Sequence, residues 1–155
     1  MSTTIDFNDL PLLKDLTTLQ RSSLHDKTST YSLGKDEVVF HEGDVADDIY
    51  FLLEGKANLQ TSTFENKSIV TDVLRTGDFF GWSGVFVGAK MTATAICASD
   101  VRLAKIPRDD FINELTKHSD TGIQVMIRVA ETISRRLRES RSRLALHLSG
   151  SSVES

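Results

Sequence analysis

The sequence predicts a mainly β protein, an antiparallel β-roll of the double-stranded jelly-roll kind flanked by helices, and three observations carry that expectation. Residues 31 to 106 hold six short apolar runs separated by Gly or Asp turns, helical spacing brackets them on both sides, and the last helical segment is long with a narrow apolar stripe. Short runs at such intervals are the pattern of a sandwich, barrel or jelly roll, since each buries one face and turns back before the next. At 155 residues the chain has the size of one domain.

The elements follow in order. Between Asn8 and Asp26, Leu10, Leu12, Leu13, Leu16, Leu19 and Leu24 stand at mixed helical spacing, which reads as one or two short amphipathic helices. The strands are Val38 to Phe40, Ile49 to Leu53, Ala57 to Leu59, Ile69 to Leu74, Ala93 to Ala98 and Val101 to Ile106. Gly34, Gly43, Gly55, Gly77, Gly81, Gly84 and Gly88 lie between or beside them, where turns need positive φ. After Pro107 a short helix runs from Arg108 to Lys117 with Phe111, Ile112 and Leu115 as its apolar side. A long helix is expected from about Asp120 to Leu148. Its Met126, Ala130, Ile133, Leu137, Ser140 and Leu144 form a stripe at alternating spacings of four and three, the seam of a helix that packs on another helix. The expected boundaries are 8–26 for the first helices, 31–106 for the roll and 108–148 for the last helices, all within one 1–148 domain, with 149–155 a flexible tail.

Composition narrows the function. The 39% hydrophobic and 26% charged fractions are those of an ordinary globular chain, and no apolar run approaches the roughly 20 residues of a membrane span. The start, MSTTIDFNDL, has neither a basic nor an apolar leader segment, so the expected address is cytoplasmic and no membrane partner is expected. Cys97 is single, which rules out an intrachain disulfide and reads as a small core hydrophobe. A net charge of −4 does not advertise nucleic-acid binding. Five arginines do lie between Arg135 and Arg143, but Glu131 and Glu139 precede Arg135 and Arg143 by four residues, the pattern of a solvated, ion-paired helix face. The histidines, His25, His41, His118 and His147, are scattered and lack the spacing of a metal site, leaving a cupin-like metal enzyme as a remote alternative. No Ser-His-Asp order, Walker-type phosphate loop or paired-carboxylate motif is recognisable, so the chain is expected not to be an enzyme.

Glu42-Gly43-Asp44 is a turn signal, Leu53-Glu54-Gly55-Lys56 closes a hairpin, and Gly81 and Gly84 bracket a short helical turn through Val85 and Phe86 whose backbone N–H groups would face an anion. Four strings stand in sequence: Phe40-His41-Glu42-Gly43-Asp44, Ile49-Tyr50-Phe51-Leu52-Leu53-Glu54-Gly55, Gly77-Asp78-Phe79-Phe80-Gly81, and Arg135-Arg136-Leu137. In this order the chain, from about Leu10 to Leu148, resembles the cyclic-nucleotide-binding domain family, especially the sensor domain of catabolite-activator-type (CRP/FNR) bacterial transcription regulators without the helix-turn-helix domain.

The resemblance implies a β-roll that binds rather than catalyses and a cyclic phosphate held beside Gly81 to Val85. The family's cassette reads phenylalanine, glycine, glutamate, then some nine or ten residues later an arginine followed by a small residue. The glutamate takes a ribose hydroxyl and the arginine pairs the phosphate. Here Phe80 and Gly81 match, Trp82 stands at the glutamate position, and the arginine position falls on Thr92, or on Met91 if the loop is one residue shorter. Lys90, a point charge without arginine's fork, is the nearby cation. Losing one partner of a buried charge pair costs about 2–5 kcal/mol, roughly 1.5 to 3.5 decades of affinity.

The candidate ligand set implied is Phe80, Gly81, Trp82, Ser83, Gly84, Val85, Lys90, Thr92 and Ala93, with Ser140 reaching in from the long helix. Ser140 has the competing role of a hydroxyl bonded to its own helix, and Trp82 that of a lid, a stacking surface or a plug. The expected function is a regulatory, ligand-sensing domain with a degenerate cassette, homodimeric through Met126, Ala130, Ile133, Leu137 and Leu144, signalling to an output partner protein. No cofactor is certain; the expected ligand is a cyclic nucleotide or another small molecule. The alternatives are a genuine cyclic AMP-binding regulator and a ligand-free dimeric scaffold. Relatives that bind DNA do so through a domain placed after this long helix, so direct nucleic-acid binding is not expected here.

Overall fold

Two four-stranded antiparallel sheets, ordered β1-β8-β3-β6 and β2-β7-β4-β5, make the roll in a computed structural model that describes residues 4–85 and 89–153. The strands are β1 (Ser29–Leu33), β2 (Val38–Phe40), β3 (Asp48–Glu54), β4 (Ala57–Ser62), β5 (Ser68–Leu74), β6 (Phe79–Phe80), β7 (Thr94–Cys97) and β8 (Val101–Pro107). All six expected strands form. β1, with the polar sequence Ser-Thr-Tyr-Ser-Leu, and the two-residue β6 join them.

β3 shows how the period of a strand divides the core. Its residues 49 to 53 are buried on both faces. Ile49, Phe51 and Leu53 point into a cluster shared with the helices, and Tyr50 and Leu52 into a second cluster between the sheets. β8 repeats the division, with Ala104 and Ile106 on the helix side and Leu103 between the sheets. The sheet carrying β3 is therefore covered on both faces, which is why its strands read as continuous apolar runs rather than alternating ones.

The helices enclose the outer face of that sheet. Two 3-10 turns, Phe7–Asp9 and Pro11–Leu13, precede α1 (Thr18–Asp26), which starts at a capping box in which Thr17 and Gln20 exchange side-chain and backbone hydrogen bonds of 2.9 and 3.2 Å. α2 (Arg108–Lys117) follows β8 directly, and α3 (Ser119–Val153) packs back on it. Their close approach depends on Gly122, where an added Cβ would stand 2.1 Å from the Leu115 carbonyl oxygen. α3 continues through Val153, past the expected end at Leu148, so most of the segment expected as a flexible tail is helical. At about 1.5 Å per residue its 35 residues span about 50 Å.

The stripe by which α3 meets the roll is one residue out of step with the expected seam. Val125, Val129 and Arg136 are buried and Ile133 and Ser140 half-buried, whereas Met126, Ala130, Leu137 and Leu144 are exposed. No helix among the described residues is long and apolar enough to cross a membrane.

Candidate ligand site between the roll and the long helix

The loop after β6 is anchored by aromatic packing. Phe80, opposite Tyr50 in the β3–β6 pair, is fully buried and stacks on that ring at 5.4 Å, with Phe40 at 5.9 Å. Phe80 is thus scaffold for the site and does not line it. Gly81 follows with φ of 72°, and a Cβ there would lie 2.8 Å from Tyr50 Cδ2, so this position excludes a side chain on both counts. The chain then makes a 3-10 turn, Trp82–Val85, whose last carbonyl accepts a 3.0 Å hydrogen bond from Arg108 Nε and so ties the loop to α2. The expected continuation of this turn into Phe86 lies outside the described residues.

The returning segment is pinned to the β2–β3 loop. Gly43 N donates to Met91 O and Met91 N to Asp44 O, each at 2.8 Å. Lys90 pairs across an isolated bridge with Val45, is exposed, and does not line the cleft, so the structure separates it from Trp82 and Thr92.

A cleft of about 240 Å³ lies between the roll and α3. Trp82, Thr92 and Ala93 come to it from the loop, Leu59 and Asp72 from β4 and β5, and Arg136 and Ser140 from α3. Its apolar walls with a few inward polar groups are the usual construction of a small-molecule site. Behind it, beside Gly81, Ser83 and Met91, a space of only about 20 Å³ remains, and the half-buried Trp82 borders both. Trp82 also packs on the helix-side core, as a filling residue does. Ser140 is half-buried at the cleft wall, as the resemblance implies; a hydroxyl bonded back to the helix is seen instead at Ser142, whose Oγ donates to Arg138 O at 3.1 Å.

Two residues that sequence reasoning did not assign to the site dominate its electrostatics. Arg136, read from sequence as part of a solvated arginine face, is buried with Nε 3.3 Å from Asp72 Oδ2 and its guanidinium carbon 5.0 Å from the Phe79 ring centroid. Among the described residues the pairs expected along the helix, Glu131 with Arg135 and Glu139 with Arg143, do not close; of the five arginines between Arg135 and Arg143 the one in an ion pair is Arg136, from helix to strand. Asp72 is buried too, and its Oδ1 accepts from Val73 N at 2.9 Å. Burial raises the Asp72 carboxyl above the ordinary carboxylate value against the pull of Arg136, and burial lowers Arg136 against the pull of Asp72. Both shifts say that lost hydration outweighs mutual attraction. The signal available in the sequence was a charge within the apolar run 69–74, matched by an arginine at helical spacing from Val125 and Val129.

Arg136 also borders two grooves on the outer side of α3, of about 460 and 330 Å³, which are lined by Arg135 and Asp78 as well. Neither touches the loop that carries Trp82 and Thr92. No three His, Cys, Asp or Glu side chains among the described residues are grouped as a metal ion would need.

Residues 31–118 match the family model described as the cyclic nucleotide-binding domain. A cAMP-dependent protein kinase regulatory subunit from Hypocrea atroviridis is 31% identical over 103 residues, 66% of this chain and 21% of that protein, so this chain spans about a fifth of that relative. Among solved structures, a cyclic nucleotide-binding domain from Methylobacillus flagellatus aligns with a TM-score of 0.78 at 18% identity, covering 94% of this chain and 89% of that one. The catabolite activator protein of Thermus thermophilus aligns with a TM-score of 0.72 at 21% identity, over 88% of this chain and 62% of that one.

Proposed function

The chain belongs to the cyclic nucleotide-binding domain family, and from that membership we propose that it is a non-catalytic ligand-sensing domain whose cassette no longer holds a cyclic nucleotide tightly. The observation that carries this reading is the make-up of the cleft. Where the family's glutamate and arginine would stand, Trp82 and Thr92 border it, and the bulky indole leaves only about 20 Å³ beside Gly81 and Ser83. A neutral hydroxyl cannot replace a bidentate guanidinium on a phosphate.

Signal output then passes through α3. Its inner side is fixed to the roll by Val125, Val129 and Arg136, while Met126, Ala130, Leu137 and Leu144 form an exposed apolar face suited to a second copy. A ligand that shifted the roll against α3 would change how two such helices meet.

Trp82 is the single tryptophan and borders the cleft, so its emission reports on occupancy directly. Cyclic AMP at micromolar concentration should leave both emission and melting temperature unchanged. The double variant W82E/T92R should gain cyclic AMP affinity, and more than either single change, because the two groups act on one ligand. Tight cyclic AMP binding by the wild type would establish the genuine cyclic-nucleotide regulator instead.

A further inference from the structure

Among the described residues Arg136 is the only Lys or Arg that lines the cleft, and most of its hydrogen-bonding capacity is unused there. Nε faces Asp72 Oδ2 at 3.3 Å, off the line of a hydrogen bond. Nη1 and Nη2 are buried without a hydrogen-bond partner among the described residues, and so is Asp72 Oδ2. Arginine presents five donors in a planar fork that matches a carboxylate at two points, and a buried polar group left unmatched is costly. The group that already stands beside the fork is a carboxylate, and it engages the fork poorly.

The surroundings define what could engage it better. Leu59, Ile133, Leu137 and the Trp82 indole supply apolar walls, and Thr71, Thr92 and Ser140 bring hydroxyl-bearing side chains to the same cleft. Its volume of about 240 Å³ falls short of the roughly 300 Å³ at which small-molecule sites usually begin, so the occupant is compact.

Resting on the ligand-sensing reading above, we propose that the cleft recognises a small organic carboxylate with a compact apolar body, whose anionic group takes the Nη donors of Arg136 in competition with Asp72. Arg136 belongs to α3 and Asp72 to β5, so this exchange breaks the ion pair that joins helix to roll. Ligand entry thereby becomes a change in how α3 is held, which a cation on the loop alone could not produce.

The test uses the full chain, with phenylacetate and 4-methylpentanoate each set against its primary amide, and with inorganic phosphate and cyclic AMP beside them. Trp82 emission and melting temperature are the readouts. Each acid should bind about tenfold or more tightly than its amide, as a charge-assisted two-point contact implies. R136K, which keeps the charge and loses the fork, should weaken the acids about tenfold and leave the amides unchanged. D72N, which removes the internal competitor with little change of shape, should tighten the acids about tenfold; a merely structural ion pair predicts no such gain. Amides binding as tightly as acids, phosphate binding more tightly than the acids, or D72N without effect on the acids would each overturn the carboxylate assignment and leave the sensing reading intact. Failure of both acids with wild type and D72N alike would overturn the carboxylate assignment, whereas tight cyclic AMP binding by the wild type would overturn the reading on which it rests.

Discussion

A guanidinium buried beside a carboxylate gains attraction and loses hydration, and at Arg136 and Asp72 the loss is the larger effect for both groups. Replacing the pair by apolar residues of similar volume, D72L with R136M, should therefore leave the fold as stable or raise its stability by about 1–4 kcal/mol in denaturant titrations. R136M alone strands the Asp72 carboxylate and should cost about 3–5 kcal/mol at neutral pH. That deficit depends on pH. A carboxyl whose folded pKa lies above its unfolded value adds stability below the unfolded value, and this is lost as pH rises through the folded one. Asp72 is already raised, and removal of the cation raises it further. The gap between R136M and wild type should thus narrow as pH falls from 7 toward 4; a gap constant over that range would show that Asp72 is not the titrating group. At the same scale, Trp82, Thr92 and Ser140, expected together from the resemblance, border one cleft, whereas Lys90 does not. Proximity in sequence to Thr92 says nothing of side-chain direction, and the bridge to Val45 turns Lys90 out to solvent.

Among the elements, α3 shows most clearly where periodicity stops being informative. Two stripes, one residue apart, run along it. Val125, Val129, Ile133 and Arg136 face the roll, and Met126, Ala130, Leu137 and Leu144 remain exposed, Leu137 by 50%. An apolar row of this length left open to water is unusual for a monomer. Sedimentation should accordingly give a particle of about twice 17.2 kDa at tens of micromolar, and L137D should shift it to the monomer without lowering its melting temperature by more than a few degrees. A monomeric wild type would sink the dimer proposal and favour a partner of another kind on this face. The strands were more legible than the helix surfaces. Six apolar runs became six strands, because a run bounded by turns admits few other structures. β1 escaped notice because it is an edge strand with a polar sequence, and β6 because two residues make no pattern.

On the scale of the molecule, the roll holds a two-sided core, and Cys97 marks its inner half. It lies between the sheets, fully buried in β7 opposite Ala57 of β4, and burial pushes its thiol above the ordinary cysteine value. Thiol-reactive dye should label it at the rate of global unfolding, with denaturant dependence equal to that of the overall transition. Fast labelling under native conditions would mean that the two sheets open independently of the helices. Such an arrangement of mainly β roll, flanking helices and family was determined by the sequence itself, since apolar period, turn residues and short motifs act over a few neighbouring residues and survive without knowledge of the fold. That Trp82 follows Phe80-Gly81, and that Thr92 or Met91 stands where the resemblance would put an arginine, could likewise be read before any fold was known. Only the tertiary structure decided that the cleft has a cation after all, that it comes from α3, and that Asp72 opposes it. Those two residues are 64 positions apart, 136 less 72, and no local pattern records which of five arginines a distant strand will bury. That choice is made by packing, which puts one helical face against β5 and turns the next toward water.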